Sequence, residues 1–379
     1  MPPGDVYICK STDEFIPGLQ LNRGFFNDVV KPILARTYPR LSYSAALTGH
    51  CSDVLGLDTY KSTDHVWGPR LQIFLSEDDH VHLAQPLFDL LARELPPIYL
   101  HFPTNYRNEE PWSRVARMQF VDGPPINHFI EIETVRSFIK GELCCILDHS
   151  PTINEWLTFP EQALLEVIAG EVFHDETGEL THARQLLAYY PDPVWFFRMY
   201  CLWGSISDEQ AFAGRCYEVG DPVGEILIAA RIVKKLMKLC FALERKYYPY
   251  SKWFGSAFQQ LHCAGEILPH IQRTLSAPSY NEREEALCQC YLAVARLHNI
   301  AAITPEINAE VIDYYRRGYR GVDTIPFAEA LKTKITPLLE QYDCSLLSKT
   351  VLYDDSNFDH TFEQTAALVN AARIFNFTE

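Results

Sequence analysis

Apolar residues recur at near-helical spacing from Phe15 through Leu19, Leu21, Phe25, Phe26, Val29, Val30, Ile33 and Leu34, which predicts a helix over residues 14–38. Two extended stretches follow. Residues 43–48 are small and mostly apolar, and residues 64–75 end in the run Leu71-Gln72-Ile73-Phe74-Leu75. Ser76 to Asp79 reads as an acidic turn, and His80 to Leu95 as an amphipathic helix with Leu83, Leu87, Leu90 and Leu91 inward. Residues 96–127 are proline-rich and carry Arg107, Arg114 and Arg117, as an insertion or lid would. His128 to Glu133 then reads as a strand that closes a first domain. Helical periodicity dominates what remains, over about 161–173, 194–203, 221–246, 257–275, 281–298, 306–315, 326–342 and 361–375. Asp221 and Asp359 stand where N-caps belong.

That pattern predicts an α+β protein: a domain over residues 1–145 with a mixed sheet, then a mostly α-helical domain over 146–379. With 379 residues and 47% hydrophobic content, the chain can bury cores of that size. A net charge of −16 argues against a nucleic-acid partner, because phosphate backbones attract basic surfaces. Neither a signal peptide nor an apolar run of the roughly 18 residues that a membrane span needs is visible. The 11 cysteines lack zinc-like pairing and sit mostly in apolar runs, which suits reduced core thiols in a cytoplasmic protein. Oligomeric state is not legible.

Chemistry concentrates between residues 49 and 70. The strand that ends at Thr48 meets Gly49, where a sharp turn and close backbone approach are cheap. Ser52 or Asp53 could then cap a short helix ending near Gly56, so that backbone N–H groups face a phosphate. In the strand expected next, positions 64 and 66 share a face. Two carboxylates at that spacing would hold Mg²⁺ against a nucleotide's phosphates. The chain offers Asp64 and the apolar Val66. His65 points the other way and reads as packing, and Trp67-Gly68-Pro69 shapes the strand exit. No Gly-x-Ser-x-Gly elbow of a serine hydrolase occurs, and Arg296 with His298 lacks the spacing of a helical ribonuclease. Arg231, Lys234, Lys235 and Lys238 read as the solvated face of their helix.

At these residues the chain resembles the nucleotidyltransferase superfamily of DNA polymerase beta and kanamycin nucleotidyltransferase, with its Gly-Ser, its Asp-x-Asp pair and a third acid on a later strand. It looks closest to a bacterial and fungal family of nucleotidyltransferase-like proteins classed as a domain of unknown function. Members of that family read Gly-Ser-Gly-Ser-Glu and then Ser-Arg-Asp-His-Asp-Trp-Gly-Pro-Arg. The tracts Leu157 to Gln162, Ala169 to Asp175, Tyr189 to Pro191, Gly214 to Cys216 and Pro249 to Gly255 extend the likeness. Gly49 matches the first glycine, Asp64 the first metal-binding Asp, and Ser62, His65, Trp67, Gly68, Pro69 and Arg70 the rest of that segment. His50 stands in place of the phosphate-contacting Ser, and Val66 in place of the second Asp. Glu131 and Glu133 share a strand face and are the candidates for the third acid, with Glu131 favoured.

The resemblance implies a metal site of Asp64 with Glu131 or Glu133, holding Mg²⁺ or Mn²⁺. It implies a catalytic set of Asp64, Glu131 and His50, and nucleotide contacts from Gly49, Ser52, Ser62, Arg70 and, on a helix of the second domain, Lys252. The expected partners are a nucleoside triphosphate and a small-molecule hydroxyl or amine acceptor, for which an acidic exterior suits a cation. Without the second Asp, two further readings stay open. One is a degenerate nucleotide-binding or regulatory module. The other is metal-independent small-molecule chemistry with His50 as acid or base.

Overall fold

A computed structural model describes residues 4–108, 115–314 and 316–341. In chain order it contains α1 (Gly18–Phe25), a π-helical stretch Phe26–Val30, α2 (Lys31–Thr37), β1 (Ser44–Leu47), β2 (Arg70–Phe74) and α3 (Glu77–Glu94). Four short strands follow, β3 (Ile98–Tyr99), β4 (Phe102–Pro103), β5 (Tyr106–Asn108) and β6 (Ala116–Met118), then β7 (Phe129–Glu133) and α4 (Val135–Leu143). Next come α5 (Ile153–Thr158), α6 (Glu161–Ile168), β8 (Glu171–Asp175), α7 (Glu179–Leu186), α8 (Asp192–Glu218), α9 (Pro222–Leu243) and α10 (Ser251–Phe258). The described part ends with α11 (Ala264–Ser276), α12 (Tyr280–Ile300), β9 (Val311–Tyr314), β10 (Tyr319–Val322) and α13 (Ile325–Gln341). The α+β class expected from the pattern is the class observed.

The chain divides into two units, Met1–Ser150 with Ala163–Ala188, and Pro151–Gln162 with Tyr189–Glu379. In the first, a mixed sheet runs in the order β7-β2-β1-β8, with β2 and β7 parallel and both neighbours of β1 antiparallel to it. Strand alternation sorts the side chains. Ala45, Leu71, Ile73 and Ile130 enter a core with Phe25, Phe26, Leu34, Leu87 and Leu91 from α1, the π-helical stretch, α2 and α3. The opposite face carries Ser44, Ala46, Gln72, Phe74, Glu131 and Glu133, fixed by the pairings of Ala46 with Gln72 and of Gln72 with Glu131. In the second unit, α8 packs on α9 and α13, and α12 on α11 and α9. Trp203 and Phe327 stack there with centroids 4.6 Å apart.

Several expectations need correction. The strand expected over 64–75 is only Arg70–Phe74, because Tyr60–Asp64 winds into a 3-10 turn and Val66 takes a left-handed φ of 46°. Glu77, Asp78 and Asp79 are helix rather than turn: Ser76 accepts the Asp79 N–H, and acids in a first turn favour the helix dipole. The helix expected over 161–173 stops at Ile168; Gly170 turns the chain with φ 75°, and β8 pairs with β1. Where a helix is expected over 306–315, residues 311–314 instead form β9, which pairs antiparallel with β10, and Gly318 just before β10 has φ 77°. Residues 96–127 hold the β3–β4 and β5–β6 hairpins, while Arg114 and the helix expected over 361–375 lie outside the described residues. Lys238 is buried and Lys234 and Lys235 half-buried, so α9 shows solvent only part of the face assigned to it. His298 is buried, accepting from Trp203 Nε1 at 3.3 Å.

The turn at Gly170 is tight enough to test. A Cβ on Gly170 would lie 1.9 Å from the Leu47 carbonyl oxygen, at a φ that side chains avoid. Gly170→Ala is expected to lose at least ~2 kcal/mol in urea unfolding; a variant as stable as the parent would show that the backbone yields there.

Candidate functional site

The end of β1 is bound on two sides. Thr48 donates its N–H to Gln72 Oε1 at 3.1 Å, and its carbonyl accepts from Gln72 Nε2 at 3.1 Å. The Thr48 hydroxyl donates to the Glu166 carbonyl at 2.8 Å, and the Gly49 N–H donates to the same oxygen at 2.9 Å. Gly49 therefore turns the chain, with φ 85°, but its amide is spent on α6 rather than aimed at a phosphate. No helix follows. Ser52 and Asp53 lie in turns closed by Leu57 N–H to Ser52 O at 2.9 Å and Gly56 N–H to Asp53 O at 3.1 Å.

Asp53 and Arg70 explain that local shape. Arg70 Nη2 lies 2.9 Å from Asp53 Oδ1 and 3.0 Å from Oδ2, and Nε lies 3.2 Å from Oδ2. Both residues are buried. Burial disfavours the guanidinium charge, but the Asp53 carboxylate outweighs it and raises the Arg70 pKa. The Arg70 N–H also donates to the buried Asn22 side chain at 2.7 Å. Arg70, expected at a nucleotide, is thus placed as an anchor for the 49–56 turn.

Asp64 ends the 3-10 turn, half-exposed, with its Oδ1 2.9 Å from His65 Nδ1. Ser62 Oγ accepts the Thr59 N–H at 3.0 Å and so stabilises that turn. Val66 is buried, its N–H donated to Ala116 O at 2.7 Å, in a left-handed conformation that a β-branched residue rarely adopts. His50 is exposed beside the turn. Lys252 is exposed in the first turn of α10, its ammonium 4.9 Å from the Trp253 ring, and belongs to the second unit.

The structure does bring other groups together around Gly49. Glu131 and Glu133 lie on the same face of β7, and Gln72 Nε2 reaches Glu131 Oε2 at 3.4 Å. A Cβ on Gly49 would lie 3.8 Å from Glu142 Oε1 and 4.0 Å from Gln72 Nε2, which sets Glu142 of α4 beside the turn. Burial first, then Glu131 and Glu142, push the Glu133 carboxyl up to about 8. Such a concentration of negative charge attracts a cation, and a cation would draw the Glu133 proton off. Gln72, Glu142 and Asp53 were missed as site residues. An amide amid Leu71, Ile73 and Phe74 was the one available signal. Among the described residues, no three or more His, Cys, Asp and Glu side chains form a ready metal cage. Mg²⁺ ordinarily takes one or two protein carboxylates together with substrate phosphates and water.

Residues 156–254 match the family described as a domain of unknown function, DUF4037. The match includes the tracts from Leu157 to Phe254 and leaves out the Gly49 to Arg70 segment. No curated protein sequence matches. The crystal structure of a nucleotidyltransferase-like protein from Exiguobacterium sibiricum 255-15 aligns over 84% of this chain and 91% of that one, at 10% identity and a TM-score of 0.31. No helix among the described residues is long and apolar enough to cross a membrane.

Proposed function

We propose that this chain is a nucleotidyltransferase-like protein that holds a nucleoside triphosphate with Mg²⁺ or Mn²⁺ at its first unit and transfers a nucleotidyl group to a small-molecule hydroxyl or amine. The observation that carries the reading is the acid-lined sheet face beside the Gly49 turn, where Glu131 and Glu133 share a face and Glu142 adjoins them. In phosphoryl transfer a protein mainly positions groups and stabilises charge, and the metal, when bound, neutralises phosphate oxygens. Glu131 and Glu133 would hold that cation. Asp64, half-exposed and paired with His65, is assigned as a further metal ligand, and His50, Ser52 and Ser62 as phosphate contacts, on the strength of the family resemblance alone. We place the protein in the cytoplasm, a compartment that suits the ten described cysteines, all free thiols.

Calorimetric titration of ATP, GTP, CTP and UTP with and without Mg²⁺ tests the reading. One nucleotide is expected to bind only with metal, and at least about tenfold more weakly to Glu131→Gln and Glu133→Gln. Asp64→Ala decides separately whether that residue takes part. A folded protein that binds none of the four, or binds them equally well in both glutamine variants, would refute the assignment.

A further inference from the structure

Cys240 of α9 and Cys263, the N-cap residue of α11, meet within the second unit and take no part in the sheet-face site. Glu244 stands four residues after Cys240, one helical turn along the same side of the end of α9. Its Oε1 accepts the Cys263 N–H at 2.8 Å and its Oε2 the His262 N–H at 3.0 Å. Those two bonds bring the start of α11 against that side of α9. There the Cys263 thiol is hydrogen-bonded to both the Glu244 carboxylate and the Cys240 thiol. Cys240 is fully buried, whereas Cys263 is 9% exposed and follows the exposed His262.

The surroundings set an order of reaction. A thiol attacks an oxidant as its thiolate, so it needs a base within reach and a path to solvent. Cys263 has both. Burial works against the charge on Glu244, but the Cys263 and His262 N–H groups hold its carboxyl below the usual range, so it stands ionised beside the thiol. Burial first, then the neighbouring Cys263, push the Cys240 thiol well up, which leaves Cys240 to react second. We propose that Cys263 and Cys240 form a peroxide-sensitive dithiol that closes to a reversible disulfide, with Cys263 attacking, Cys240 resolving and Glu244 accepting the first proton. In the first step the Cys263 sulfur bonds one oxygen of hydrogen peroxide and the O–O bond breaks. The proton passed to Glu244 leaves with the departing hydroxide as water, and Cys263 becomes a sulfenic acid. In the second step the Cys240 sulfur bonds the Cys263 sulfur, the S–O bond breaks, and the Cys240 proton leaves with the hydroxyl as water. Two thiols are thereby oxidised by two electrons in all, and one peroxide is reduced to two waters. The new bond would close residues 241–262, with α10 and Lys252 among them, into a covalent loop.

Exposure of the full-length protein to hydrogen peroxide, followed by alkylation of the remaining thiols and peptide mass mapping, tests this. The expected product is a peptide pair linked through Cys240 and Cys263 that dithiothreitol releases. Cys240→Ser is expected to leave Cys263 as a sulfenic acid that dimedone traps, and Glu244→Gln to slow the linkage at least about tenfold. If Cys240→Ser fails to fold, Cys263→Ser decides the matter, since Cys240 should then stay a free thiol; its oxidation there would overturn the order proposed. A folded protein in which both thiols remain open to alkylation, or in which either links to another cysteine, would overturn the proposal. So would a linkage that forms as fast in Glu244→Gln, or that forms only in denaturant.

Discussion

Asp53→Ala is expected to cost about 3–5 kcal/mol in urea unfolding, because it strands the Arg70 guanidinium in the interior. Arg70 is 5% exposed and gives three of its contacts to Asp53 alone. The loss comes from the orphaned charge rather than from missing attraction. The double variant Asp53→Leu/Arg70→Met is therefore expected to recover most of the stability, since an apolar pair of similar bulk often replaces a buried ion pair without penalty. If Asp53→Ala costs less than about 1 kcal/mol, Arg70 reaches water when freed and does not anchor the turn. The same variants separate fold from function, because the pair holds the 49–56 loop while the acids of β7 stay in place.

Glu133→Gln is expected to act in the opposite direction, and only above a certain pH. The Glu133 pKa is raised from 4.5 to about 8, so the folded state keeps a proton that the unfolded chain has lost. Below the unfolded value both states are protonated and the substitution changes little. As pH rises from 4.5 towards 8, the wild-type protein loses stability that the glutamine variant retains. Thermal unfolding from pH 4 to pH 9 should show the two diverging, with the variant more stable by on the order of 3 kcal/mol at pH 9. A difference that stays flat across that range would mean that Glu133 ionises as an ordinary surface carboxylate. Added Mg²⁺ should narrow the gap by stabilising the ionised form.

The elements that could be read from sequence are those with one unambiguous period. The helices α3, α9 and α12, and the strands around Ser44–Leu47 and Phe129–Glu133, fall where alternation or helical spacing puts them. Failures came where a local rule met a tertiary one. Val66-Trp67-Gly68-Pro69 suits an extended chain, yet Trp67 is drawn into a core with Phe102, Tyr106 and Met118. A Cβ on Gly68 would also lie 2.4 Å from Met118 Sδ, so that segment bends instead of pairing. Residues 171–175 continue helical spacing from α6 and become a strand because β1 offers an open edge. The Asp53–Arg70 pair spans 17 positions with no periodic relation, and nothing in either residue's neighbourhood announces the other. The acids of β7 were legible from alternation, whereas Glu142 reaches Gly49 only because α4 folds back beside the sheet.

The strand β8 has a consequence for how this protein is made. Ser44 of β1 donates a hydrogen bond to Asp175 of β8 across a separation of 131 residues. During synthesis the growing chain must therefore carry β1 with one flank unsheltered, with only β2 and then β7 joining from the other side, until all of 171–175 has left the ribosome. The apolar residues Ala45, Ala46 and Leu47 spend that interval as a bare edge. A stop codon or protease cut anywhere between 150 and 170 would leave a fragment prone to pair with its own copies.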